Sequence, residues 1–167
     1  MWFDLKKSTL DWTSRAPSSF HFEVILDATP DEVFEILADV DQWELWFDEF
    51  EGAEWLSGGE PGVGSQRAIH MDILDAHEEF LAWEPGERFA FCLTKATLPL
   101  AERLVEDYQM APLPGGRCQF TWDVYYEPKW FMRPLNPVLR LQFGGMFQKA
   151  ADSLSRYVRR VGSIATA

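Results

Sequence analysis

The chain of 167 residues fits one domain and is too short for two of typical size. With 47% hydrophobic and 25% charged residues it is neither disordered nor collagen-like, and its uncharged apolar stretches fall short of the roughly 20 residues a bilayer crossing needs. Fifteen Lys and Arg against 27 Asp and Glu give a net charge of −12, which opposes non-specific binding to nucleic acid, itself a polyanion.

The charge is unevenly placed. Glu23 to Gln66 holds 13 carboxylates and no Lys or Arg, whereas Lys129 to the end holds seven Lys and Arg against the single acid Asp152. This reads as a solvated acidic surface and a basic C-terminal face. The N-terminal MWFDLKKSTLDW has no apolar core and no small-residue cleavage site, so it does not read as an export signal. Cys92 and Cys118 lack metal-type spacing and read as reduced core thiols of a cytoplasmic protein. Eight Trp, 13 Phe and four Tyr make 15% of the chain, enough large rings to fill a core or to line an apolar cavity.

Residues 1–18 form an N-terminal extension, 19–162 a single domain and 163–167 a tail. In SFHFEVILDA, residues 19–28, Phe20, Phe22, Val24 and Leu26 alternate with His21, Glu23 and Ile25, which predicts a strand. TPDEVFEILADV then predicts a short helix, with Thr29 as N-cap, Pro30 at the first helical position and Glu32 completing a capping box. DQWELWFDEF, from Asp41, is a second short helical piece with Trp43, Trp46 and Phe47 at helical spacing.

From residue 50 the period changes to two. Residues 50–57 read as a strand, followed by five more in GSQRAIHMDIL, AHEEFLAWE, ERFAFCLTKA, LVEDYQMA and RCQFTWDVYYEP. Pro85-Gly86, Pro112 and Pro114-Gly115-Gly116 punctuate them, and such short connections imply an antiparallel meander. Residues 97–103 read as a longer connection. A long helix closes the chain from about Asn136 to Arg160, its stripe being Leu139, Phe143, Met146, Ala150, Leu154 and Tyr157. Gly144-Gly145 in its middle marks a bend or a close approach. The stripe needs a partner, and one face of the sheet supplies it.

This order of elements, with the segments ATPDEVFEILADVDQWELWFDEFEGAEWLSGG, PGVGSQRAIHM, HEEFLAWEPGERFAF and GGRCQFTWDVYYEP, resembles the polyketide cyclase/dehydrase and lipid-transport family of the START/Bet v1-like superfamily. The likeness runs from about Ser19 to Arg160. It implies an α+β helix-grip fold, in which a curved antiparallel sheet of about six or seven strands wraps a long C-terminal helix, with two short helices after the first strand. It also implies an apolar cavity between sheet and helix that takes a hydrophobic small molecule such as a lipid or polyketide.

Alternation assigns the walls of that cavity. Phe120, Trp122, Val124 and Tyr126 share the inner face of the last strand with Cys118. Phe91 sits on the inner face of its strand with Phe89 and Leu93. Ile69 and Met71 carry Arg67 inward with them, and Tyr108 carries Glu106. The closing helix contributes Leu139, Phe143, Met146 and Phe147. Trp43, Trp46 and Phe47 stand at the cavity end, and Phe131 lies at the entry to the helix. A buried charge needs a partner, so Arg67 and Glu106 are read either as a pair or as anchors for a ligand's carboxylate or hydroxyl.

Catalytic signatures are absent. The sequence has no HExxH, no CxxC and no G-x-S-x-G elbow, and PGVGS lacks the Lys and helix of a phosphate loop. His21 is expected to face solvent. His70 and His77 flank a turn placed at Ile73-Leu74, and His70 stands across from either Glu78 or His77, depending on the register. The expectation is a carrier without cofactor or metal, monomeric or dimeric, without an integral membrane segment. The alternative is an aromatic cyclase or dehydratase working in the same cavity.

Overall fold

The computed structural model describes residues 1–165, with side chains through Gly162. Its strands are β1 (Phe3–Asp4), β2 (Ser18–Leu26), β3 (Phe50–Trp55), β4 (Gln66–Met71), β5 (Asp75–Glu84), β6 (Arg88–Ala96), β7 (Ala101–Leu113) and β8 (Arg117–Pro128). The helices are α1 (Pro30–Ala38) and α2 (Asn136–Ala165), with single 3-10 turns at Leu10–Arg15, Val40–Leu45 and Trp130–Leu135. Strand order is β2-β8-β7-β6-β5-β4-β3, every neighbouring pair antiparallel. This is the helix-grip architecture. Register shifts interrupt β3–β4, β5–β6 and β7–β8, and each one bends the sheet.

Local chemistry accounts for the element ends. Thr29 Oγ1 accepts from the Glu32 amide, and Glu32 Oε2 accepts from the Thr29 amide at 2.7 Å, so the capping box closes. The two bonds from Thr29 hold the Glu32 carboxyl below its ordinary range. The β5–β6 turn is Pro85-Gly86, with Gly86 at φ 72, where a Cβ would also stand 2.3 Å from Asp31 Oδ1. Only glycine fits there. In β2 the burial alternates as the sequence reads, and in β8 it does so except at Asp123, which is buried as well.

Three expectations are corrected. The β4–β5 turn comes one residue earlier: the Met71 amide donates to the Leu74 carbonyl, which centres the turn on Asp72-Ile73. His70 therefore faces Asp75, and Arg67 faces Glu78. Residues 101–103 continue β7 rather than looping, because Arg103 and Leu104 pair with Glu127 and Tyr126 of β8. The closing helix runs past Arg160 to Ala165.

The N-terminal segment enters the sheet. Pairing of β6 with β7 ends at Cys92 and Val105, and beyond it the two strands separate. Phe3 and Asp4 pair with Ala96 and Lys95, then the Leu5 amide donates to Thr94 and the Lys6 amide to Glu102 of β7. The segment bridges the split, with Leu5 buried in it. Trp12 is buried against Cys92 and Val105 on the other face.

Helix α2 packs unevenly. Phe147, Ala150, Ala151, Leu154, Tyr157 and Val158 are buried, while residues 136–146 keep at least partial exposure. The start of the helix is held by Tyr126, whose hydroxyl donates to Asn136 Oδ1, and by Asn136 Nδ2 donating to Ser18. Further along, the helix is held by Tyr157 donating to Gln42 and by Lys149 between Asp48 and Glu49, where the basic helix meets the acidic segment. Residues 136–146 are tethered but only partly buried, with Phe143 and Met146 reaching back to the core. Gly144 sits at the change, where a Cβ would meet Phe20 at 3.4 Å.

Candidate ligand cavity

Under this stretch of α2 lies a cavity with about 110 Å³ of room for the centres of water-sized atoms. An apolar cavity of about 150 Å³ takes up benzene, so this space, open at its mouth, is of a size that admits a small apolar molecule. Met71, Leu74, Leu98, Leu100, Leu139, Phe143 and Met146 line it and are each partly exposed. They mark its mouth, between the α2 N-terminal half, the β4–β5 hairpin and the β6–β7 connection.

Of the residues assigned from sequence, Trp43, Phe47, Ile69, Met71, Phe91, Glu106, Tyr108, Val124, Tyr126, Leu139, Phe143, Met146 and Phe147 lie on the wall. Trp46, Phe120 and Trp122 are buried without lining it. Trp46 stacks on Trp43 and Phe47, and Trp122 packs between Tyr108 and Phe147. Phe131 is 44% exposed in the 3-10 turn before α2, against Trp130 and off the wall. Arg67 is buried behind the wall rather than on it. The sequence reading omitted Leu5, Phe20, Phe50, Leu74, Ala76, Glu78, Leu98, Leu100, Ala101 and Leu104, all of which line the space.

Of the two alternatives for Arg67 and Glu106, a mutual pair or ligand anchors, the pair is not formed. Arg67 pairs across the strands with Glu78, both side chains being fully buried. Arg67 Nε donates to Glu78 Oε2 at 2.8 Å, and Nη2 lies 2.6 Å from the same oxygen but off the hydrogen-bond axis. The guanidinium is enclosed by rings, 4.7 Å from Trp43, 5.1 Å from Phe80, 5.8 Å from Trp55 and 5.9 Å from Phe91. Those faces provide the cation–π attraction that its unaligned N–H groups would otherwise lack. Burial pushes the Glu78 carboxyl up, and the Arg67 charge and hydrogen bond oppose this. Phase gave the missed signal: Ala76, Phe80 and Ala82 alternate inward, and Glu78 falls on the same face.

Glu106, from the middle of β7, accepts from the Tyr108 hydroxyl at 2.7 Å and from Trp122 Nε1 at 2.9 Å, both on Oε2. Burial raises its carboxyl to about 7, helped by the nearby Glu78 charge and opposed by the two hydrogen bonds and Arg67. Burial next to Glu106 also drives the Tyr108 hydroxyl well above its ordinary range. An apolar wall with two carboxyl groups can bind a largely hydrophobic molecule, orient one polar end and exchange a proton with it.

No histidine lines the cavity. His21 sits at the sheet surface, 62% exposed and 2.6 Å from Asp123, and His70 pairs with Asp75. Among the described residues no cluster of His, Cys, Asp and Glu could hold a metal, and no helix is long and apolar enough to cross a membrane. Cys92 and Cys118 are free and buried.

The fold has close structural counterparts. A START superfamily protein of Mycobacterium smegmatis superposes with a TM-score of 0.71 at 16% identity, covering 86% of this chain and 98% of that one. The aromatase/cyclase Zhui of Streptomyces sp. R1128 gives 0.69 at 18% identity, over 86% and 95%. Norcoclaurine synthase of Thalictrum flavum gives 0.63 at 15%, over 95% and 96%. In sequence, an uncharacterised protein of Mycobacterium tuberculosis is 32% identical over 149 residues, 89% of each chain. The model of the family described as polyketide cyclase/dehydrase and lipid transport matches residues 18–159. On that match and on its helix-grip fold, the chain belongs to the polyketide cyclase/dehydrase and lipid transport family.

Proposed function

We propose that the protein binds and carries a hydrophobic small molecule in the cavity between α2 and the sheet. The observation that carries this reading is the tethered but only partly buried stretch 136–146 of α2, which leaves an apolar space with a mouth where a core would otherwise close. Natural interiors pack to crystal-like density with few voids larger than a water, so an apolar space of this size is a built feature. Family membership supports the same reading, since lipid transport is part of the family's description.

Calorimetric titration with apolar molecules of about ten heavy atoms tests it. The reading predicts one saturable site with a negative heat-capacity change. It also predicts loss of binding when Val124→Trp fills the wall from β8. Absence of saturable binding across alcohols, ethers and bicyclic aromatics would refute it.

Glu106 favours a second reading, an enzyme of the cyclase or dehydratase type. A carboxyl that titrates near 7 inside an apolar pocket, hydrogen-bonded to Tyr108, is suited to take and return a proton. If the cavity is catalytic, Glu106→Gln lowers kcat by about 10²–10⁴ while changing KM far less, and the rate of the parent protein inflects near pH 7.

A further inference from the structure

The cavity wall is apolar except at Glu78 and Glu106, with the Tyr108 hydroxyl beside them, and its hydrogen-bonding capacity there is lopsided. Three of the donors around the two carboxyl groups converge on one oxygen of each, while Arg67 Nη1 and Nη2 have no hydrogen-bond partner and face the surrounding rings. Tyr108 and Trp122 both donate to Oε2 of Glu106, and Arg67 Nε donates to Oε2 of Glu78. Arg67 itself lies off the wall among four aromatic rings. Two acceptors are left over. Glu78 Oε1 has no partner but its side chain is sealed from the space, whereas Glu106 keeps partial exposure on the wall and its Oε1 accepts no hydrogen bond from the protein. A carboxylate oxygen left without a partner inside a protein is costly, and a bound donor supplies what it lacks.

We propose that the cavity selects hydrophobic molecules whose polar end is a hydrogen-bond donor, an alcohol, phenol or amine, and that Glu106 Oε1 receives that end. The proposal rests on the ligand-binding reading above and narrows it. A carboxylate or phosphate head would meet an acceptor oxygen and no uncommitted donor on the wall. Charge acts in the same direction. Arg67 and Glu78 cancel, and ionised Glu106 leaves the polar centre negative. A ligand with only acceptor atoms, such as an ether, fills the apolar space but leaves that oxygen unpaired.

Calorimetry at pH 8.5, where Glu106 is ionised, separates these cases with four ligands of similar length: decan-1-ol, its isomer methyl nonyl ether, decylamine and decanoate. Decan-1-ol is expected to bind at least about tenfold tighter than the ether and than decanoate, the effect of one hydrogen bond to a charged acceptor. Decylamine is expected to exceed both as well, and its rank against the alcohol tells whether the natural head is a neutral hydroxyl or an ammonium. Glu106→Leu should bring alcohol and ether to within about threefold of each other while ether binding persists. Ether or decanoate binding as tightly as the alcohol overturns the donor proposal and leaves the carrier reading standing. Binding of none of the four overturns both. The comparison on the unaltered protein decides the matter even if the variant does not fold.

Discussion

Arg67 and Glu78 are two charges placed where composition alone would put leucines, and their joint removal and single removal should differ sharply. Replacing Arg67 with Leu strands a fully buried carboxylate, so Arg67→Leu is expected to cost about 3–5 kcal/mol in urea denaturation. The double change Arg67→Leu with Glu78→Leu replaces the pair by apolar volume and should recover most of that loss. Glu106 makes a separate prediction. Its folded carboxyl titrates near 7 against an ordinary 4.5, so the folded state holds its proton more tightly. That contribution is full below about 4.5 and is lost as pH rises to about 7. Glu106→Gln should therefore gain stability relative to the parent protein over that interval, by up to about 3 kcal/mol at pH 8 compared with pH 4, measured by chemical denaturation. The inward phase of Arg67 and Glu106 was legible in the sequence, because Ile69, Met71 and Tyr108 share their faces. Their partners were not. A hairpin register set by Asp72-Ile73 instead of Ile73-Leu74 changes every cross-strand pair, and no residue in the turn announces the choice.

The elements were read most securely where a local signal sits at each end. Helix α1 has its capping box and Pro30, and it begins where those residues place it. The turn at Pro85-Gly86 is likewise explicit. By contrast, Ala101 and Glu102 follow Pro99 and resemble a connection, and it is pairing with β8 that makes them a strand. In α2 the periodic stripe predicted the buried face but not how far the helix stands from the sheet. That distance depends on the tethers at Asn136 and Tyr157, which join residues more than 100 positions apart. Gly145, which has open space around a would-be Cβ, offers a clean test of helix energetics. Gly145→Ala should stabilise the protein by about 1 kcal/mol through helix propensity, seen as a raised midpoint in thermal or urea unfolding.

At the scale of the whole molecule, the sheet that grips α2 is completed by a segment outside the matched family region. Residues 3–6 close the split between β6 and β7, and Leu5 forms part of the cavity wall there. Removing residues 1–7 is expected to open the wall and lower affinity for apolar ligands by about tenfold or more, as the ligand loses an enclosing surface. Unchanged affinity in the truncated protein would show that the segment is no part of the site. The sequence reading treated this stretch as an extension, because two residues of strand carry no recognisable period.

The central claim is that a hydrophobic molecule occupies the space under α2. Methyl NMR tests it most directly, with whichever of decan-1-ol or methyl nonyl ether binds tighter. The account predicts saturable shifts at the Ile69, Met71, Val124 and Met146 methyl groups, which line the cavity, and none at exposed Ile25, Val63 and Leu141. Shifts confined to the exposed methyl groups, or no saturable shift at all, would contradict it.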